Sequence, residues 1–234
     1  STEELTSSKS RRWEEIRQDI NLDGKISLLS NSSDAVRGFR LPSGEKNKLR
    51  EVFLTGGTGF MGTCMIENLV KLNSDIKIWC LVRCSDKKNG KEKLLVALYK
   101  YSVQNADLIL KNNIKIVVGD TSIPYFGINK TEYKEIVNSI DSIIHIGAVV
   151  NFTSSYSNIK NVNVLSILEL LKLSSAPNHC GKNCTEKGKC NSCIIPIHHV
   201  STLGVFYDHI ENPPVEPYLS GLENTEFMER TYFL

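Results

Sequence analysis

The run Gly56-Gly57-Thr58-Gly59-Phe60-Met61-Gly62 limits what this chain can fold into more than any other feature. It follows Val52-Phe53-Leu54, an apolar run of strand length, and precedes Met65, Leu69 and Leu72, which share one face at helical spacing. Between a strand and a helix, Gly56 permits a tight turn, Gly59 lets backbone approach a pyrophosphate, and Gly62 lets helix pack closely on strand. The helix N-terminus supplies free N–H donors and a favourable dipole. A purely structural turn would use the same residues. Strand, triplet and helix in register favour instead a dinucleotide site on Gly56, Thr58, Gly59, Phe60, Met61 and Gly62.

Beyond this turn, apolar runs alternate with helical patterns. Ile76 to Val82, Ile114 to Val118, Ile143 to Ile146 and Ile194 to Val200 read as strands. Leu94, Leu95 and Leu98 mark one intervening helix, and Asn129 with Glu132 reads as a capping box opening another. Val164 to Leu173 is apolar nearly all round and predicts a deeply buried helix. Continuous apolar strands separated by helices indicate a doubly wound, Rossmann-like α/β fold with a parallel sheet covered on both faces. Residues 51–234 are expected to form this domain, with a Cys-rich insertion at 176–193. Residues 1–50 are polar and interrupted and read as a linker plus an arm. Trp13, Ile16 and Ile20 suggest one short amphipathic helix there.

Charge excludes several classes of function. With 28 Lys and Arg against 26 Asp and Glu, the net charge of +2 offers no electrostatic case for nucleic acid or membrane binding. No apolar run has the length of a membrane span, and no signal-peptide core opens the chain, so a cytoplasmic location is expected by default. Local charge is more informative. The second strand ends at Arg83, with Lys87, Lys88 and Lys93 close behind, and Asp86 is the only nearby acid. A guanidinium at this position forks onto a 2′-phosphate, whereas an acid would take the free ribose hydroxyls; NADP(H) is therefore favoured over NAD(H).

Val52 to Gly62, Cys80-Leu81-Val82-Arg83, Val118-Gly119-Asp120, His145 to Phe152 and Val200-Ser201-Thr202-Leu203 occur in order. Together they resemble the thioester reductase domains of polyketide and nonribosomal-peptide synthases and of aminoadipate and carboxylic acid reductases. These belong to the extended short-chain dehydrogenase/reductases. The resemblance covers about residues 15–172 and 194–206, including Asp19 to Asp23 of the arm. It implies NADPH-dependent reduction of an acyl chain held as a thioester on the phosphopantetheine of an acyl carrier protein, releasing an aldehyde or alcohol. By the same resemblance, Arg83 and Lys93 hold the 2′-phosphate, Lys93 standing where the family usually has a second arginine. Asp120, with Thr121 beside it, accepts from the adenine amino group. Gly147 and Ala148 line the nicotinamide end, and Asn163 is a buried asparagine that orders the active-site helix. Ser166 replaces a customary glycine, with little consequence expected.

Thr202, just past the fifth strand, is the expected catalytic hydroxyl, donating to the oxyanion formed when hydride adds to the thioester. Ser201 is the weaker candidate, since the family places its hydroxyl at the second position. An ordinary Ser-Thr turn is the structural alternative. His145 reads as a packed histidine rather than a base. The family also needs a Tyr-x-x-x-Lys pair after the threonine. Tyr156 to Lys160 has the spacing but lies too early; Tyr207 and Tyr218 have no lysine four residues on, and Tyr232 would have one only if residue 236 were lysine. The pair is expected beyond Leu234, leaving this chain a cofactor-binding fragment, inactive alone and truncated before its substrate region. Rival readings are a fatty acyl-CoA reductase and a non-catalytic NADP-binding scaffold.

The cysteines form a separate question. Cys180, Cys184, Cys190 and Cys193 could wrap one tetrahedral zinc, or could be reduced thiols or a disulfide in a surface loop. Cys64, Cys80 and Cys84 read as ordinary packed or strand-end cysteines.

Overall fold

The structure, a computed structural model, describes residues 14–19, 49–151, 153–176 and 194–201. Five parallel strands make one sheet: β1 (Glu51–Thr55), β2 (Lys77–Val82), β3 (Ile114–Val118), β4 (Ser142–His145) and β5 (Ile197–His199). Their order is β3-β2-β1-β4-β5. Chain direction across the sheet therefore reverses after β3, and a crevice opens at the carboxyl ends of β1 and β4. Open α/β sheets bind ligands in that crevice.

The helices are α1 (Phe60–Leu72), α2 (Lys87–Lys100), α3 (Ala106–Asn112) and α4 (Lys130–Ser139). The last, α5, runs through Tyr156–Lys160, a π segment Asn161–Leu165 and Ser166–Ser175. Alternate strand residues face opposite layers. Val52, Leu54, Ile78 and Cys80 pack with Ile66 and Leu69 of α1 and Leu94 and Leu98 of α2. Phe53, Trp79, Leu81 and Ile143 pack with Ile136 of α4 and Leu170 and Leu173 of α5. Each fully enclosed Leu, Ile or Phe stabilises by about 1.5–3 kcal/mol, so both layers are needed. This is the doubly wound arrangement that the strand pattern implies.

Three local expectations need correction. The buried face of α1 is Thr63, Ile66 and Leu69, while Leu72 is 82 % exposed in the last turn. The fourth long helix starts eight residues before Val164, at Tyr156, and its fully buried positions after the π segment are Ser166, Glu169, Leu170, Leu173 and Ser174, the rest of that stretch being half-buried. β5 begins at Ile197 rather than Ile194, since Pro196 lacks the N–H that a ladder needs. The capping signal was sound: Asn129 accepts from the Glu132 N–H at 2.9 Å and opens α4.

Candidate functional site: a glycine cradle at the sheet edge

Gly56 adopts φ +74°, a left-handed conformation that β1 needs in order to leave the sheet. A Cβ there would lie 2.6 Å from the Gly147 nitrogen, so the turn after β1 and the loop after β4 touch backbone to backbone. A Cβ on Gly62 would run into the Gly56 carbonyl oxygen, and one on Gly57 into Cys80 Sγ. Gly59 differs. Its Cβ would meet only the Gly56 oxygen, at 3.4 Å, and would otherwise stand in open space. Gly59 also caps α1 with no side-chain partner, so the first N–H groups of that helix have no side-chain acceptor. Three glycines close the turn and one leaves room above it. The cradle fits a pyrophosphate. Phe60 and Met61 follow Gly59 in the first turn of α1, 63 % and 50 % exposed, and the Phe60 ring meets Tyr101 edge-on at 5.5 Å.

Behind the cradle, burial pushes the Cys80 thiol up to about 12, with Cys84 adding to the shift, so a neutral sulfur backs the turn. Thr55 ends β1 by sharing a 2.6 Å hydrogen bond with His145 Nδ1 and accepting from the Gly147 N–H at 3.1 Å. His145 is enclosed and stacks on His199 at 5.1 Å. Burial, and then the neighbouring His199, lower its pKa to about 4, as a packed neutral histidine requires.

The ends of β2 and β3 are joined by the Gly119 N–H donating to the Val82 carbonyl at 3.2 Å. Asp120 Oδ1 accepts from the Ser122 N–H at 2.9 Å and its hydroxyl at 2.8 Å, and Oδ2 lies 3.7 Å from Arg83 Nη1. Burial opposes ionisation of this carboxyl, but the Ser122 hydrogen bonds and the Arg83 guanidinium outweigh it and hold its pKa below the ordinary value. Lys93 Nζ donates to the Arg83 carbonyl at 2.9 Å. Thr121 is half-buried beside them. Asp86 caps α2, accepting from the Asn89 N–H at 2.9 Å.

Asn163 lies in the π segment of α5 and is half-buried rather than buried. It accepts from the Val149 N–H at 2.8 Å and donates to the Val149 carbonyl at 2.9 Å. Its amide thus orders the loop carrying Gly147 and Ala148, more than the helix itself. Tyr156 and Lys160 face the arm: the tyrosine hydroxyl donates to Asp19 at 2.9 Å, and Lys160 reaches Glu15 at 2.6 Å and Asp19 at 3.2 Å. Thr202 and the four clustered cysteines lie outside the described residues, as do Trp13, Ile20 and Phe152. Among the described residues no group of three or more His, Cys, Asp or Glu could hold a metal, and no helix is long and apolar enough to cross a membrane.

Sequence reasoning passed over Ser122, Thr55 and Glu169. Asp-Thr-Ser is a recognisable side-chain turn, so Ser122 carried a signal. Glu169 stood out only as an acid within an apolar helix; it accepts from the Tyr125 N–H at 2.6 Å and from Lys172 at 2.6 Å.

Fold and cradle define a dinucleotide-binding α/β protein. The chain belongs to the NAD-binding male sterility protein family, whose model matches residues 54–231. It is 37 % identical over 157 residues to the nonribosomal peptide synthetase asaC of Aspergillus flavus, covering 67 % of this chain and 14 % of that one. It is 31 % identical, with a TM-score of 0.63, to the terminal R domain from the myxalamid PKS-NRPS biosynthetic pathway, covering 82 % of this chain and 42 % of that one. A thiolation-reductase di-domain from an archaeal non-ribosomal peptide synthetase shares the fold, at 21 % identity and a TM-score of 0.50, over 94 % of this chain and 51 % of its own. The chain spans less than half of the R domain and about a seventh of the synthetase. These relatives are of the kind that the order of motifs implies.

Proposed function

We propose that this chain carries the cofactor-binding part of an NADPH-dependent reductase. Its substrate is an acyl thioester on the phosphopantetheine of a carrier protein, released as an aldehyde or alcohol. The observation that carries this reading is the glycine cradle, closed by Gly56, Gly57 and Gly62 and open above Gly59, with Arg83 and Lys93 at the end of the neighbouring strand. The kinship with synthase reductases, one beside a thiolation domain, supports the carrier-linked substrate.

When bound, the cofactor supplies hydride to the thioester carbonyl carbon. The chain does the rest. Gly56, Thr58, Gly59, Phe60, Met61 and Gly62 surround the pyrophosphate, and Arg83 with Lys93 holds the 2′-phosphate. Asp120 and Thr121 take the adenine, while Asn163 fixes the loop in which Gly147 and Ala148 border the nicotinamide. Thr202 donates its hydroxyl hydrogen bond to the carbonyl oxygen as charge develops there. The domain comprises residues 51–234, with 1–50 as an arm and 176–193 as an insertion. Within that insertion Cys180, Cys184, Cys190 and Cys193 bind one structural zinc; elemental analysis of protein purified without chelator should find close to one zinc per chain, and less than a tenth of that would leave them as thiols.

Gly59→Ala tests the cradle. The added methyl fits the fold but fills the space over the turn, so the unfolding midpoint should stay within a few degrees while NADPH affinity falls by about 1.4 kcal/mol, tenfold, or more. Undiminished affinity would remove the pyrophosphate from this turn.

A further inference from the structure

We propose that Asp120 sets the preference of this chain for NADPH over NADH by competing with the 2′-phosphate for Arg83. The inference rests on the reading of Arg83 as the 2′-phosphate residue and goes beyond it. In the structure Arg83 already has an anion: Asp120 Oδ2, 3.7 Å from Nη1. The two partners differ in freedom. Asp120 is 19 % exposed and pinned through Oδ1 by both donors of Ser122, while its own N–H donates to the Phe126 carbonyl at 2.9 Å. Arg83 is 80 % exposed; Lys93 holds its carbonyl, and among the described residues its guanidinium pairs with Asp120. The guanidinium can therefore swing, and the carboxylate cannot.

A phosphate monoester carries about −1.5 to −2 charge at pH 7 and needs the planar fork of the guanidinium. To bind it, Arg83 must leave Asp120 or share its donors between two anions. NADH has no 2′-phosphate and meets no such competition. Lys93 contributes a fixed positive charge but, as an ammonium, no second fork to relieve the contest. Asp120 thus narrows a preference that Arg83 alone would make wide. Its adenine contact is common to both cofactors and cancels from their ratio.

Asp120→Asn removes the charge and keeps the Oδ1 acceptor for Ser122. Titrating NADPH and NADH separately against the unaltered and altered proteins should show the NADPH-to-NADH affinity ratio rising about two- to fivefold, the scale of one exposed ion pair. In an Arg83→Ala background the same substitution should leave the ratio unchanged, because nothing is left to compete for. If the amide variant does not fold, Asp120→Ser, neutral and still able to accept from Ser122, carries the same comparison. An unchanged or lowered ratio in the Arg83 protein overturns the proposal. So does an equal rise without Arg83, which would mean that the carboxylate repels the phosphate directly. Arg83→Ala that by itself leaves the ratio intact would instead remove the 2′-phosphate from Arg83, a failure of the underlying reading and recognisable as such.

Discussion

His145 joins the stability of the sheet to the geometry of its ligand edge. Enclosed at 1 % exposure, it shares its Nδ1 hydrogen bond with Thr55, whose oxygen also accepts from Gly147. Its folded pKa of about 4 lies below the ordinary 6.5 because burial, and then His199, disfavour the charged ring. The unfolded chain thus takes up this proton as pH falls through about 6.5, while the folded chain refuses it until about 4. Stability is full above that window and declines as pH falls across it, by on the order of 3 kcal/mol if the whole shift is expressed. Urea unfolding at pH 7.5 and pH 4.5 should show the loss, and His145→Gln should flatten it. An equal loss in both proteins would place the cost of acid elsewhere. Ser166 is another enclosed polar residue, and among the described residues its hydroxyl has no hydrogen-bond partner.

At the scale of elements, what the sequence made legible was whatever a single local pattern determines. β1, β2 and β3 are largely apolar runs because helices cover both faces of the sheet, and the cradle glycines are a fixed spacing between a strand and a helix, so both are read from a short stretch of sequence. α1 misled at Leu72 because periodicity fixes a stripe but not where the covering sheet stops, and the helix outruns it by a turn. α5 misled more. Its π segment Asn161–Leu165 inserts backbone between two α-helical stretches and shifts the face presented after it, which no 3.6-residue pattern records. The same helix makes contacts that join distant sequence. Asn163 clamps Val149, and Glu169 clamps a turn in which Tyr125 and Phe126 hold φ of +53° and +59°, a conformation costly for such side chains. Phe126 in turn gives its carbonyl to the Asp120 N–H. Such tertiary links have no periodic signature, and so the residues that position the turns were less legible than the glycines of the cradle.

For the whole molecule the decisive contact is that of the arm with α5. Glu15 and Asp19 lie one turn apart in the helical stretch 14–19, and both reach Lys160, while Asp19 also accepts from Tyr156. Hydrogen bonds that Lys160 donates to Glu15, then to Asp19, raise its pKa above the ordinary value. The Tyr-x-x-x-Lys spacing in this chain turns both polar ends to the arm's carboxylates, a contact that predicts a latch, where a proton relay for a reductase would need them toward the nicotinamide. One helix then ties the arm, through Lys160, to the loop that Asn163 holds three residues on. Tyr156→Phe removes one donor from the latch, worth about 0.5–1.5 kcal/mol, or somewhat more to a charged acceptor. Limited proteolysis should accordingly release the arm about two- to tenfold faster, since cleavage of a locally opened segment tracks the free energy of opening. NADPH affinity should hold within twofold, because the phosphate turn and the Arg83 end are untouched. Were Tyr156 instead a catalytic donor beside the nicotinamide, its removal would leave arm cleavage unchanged and alter cofactor binding. That reversed pattern would return Tyr156 and Lys160 to the active site and take the latch away.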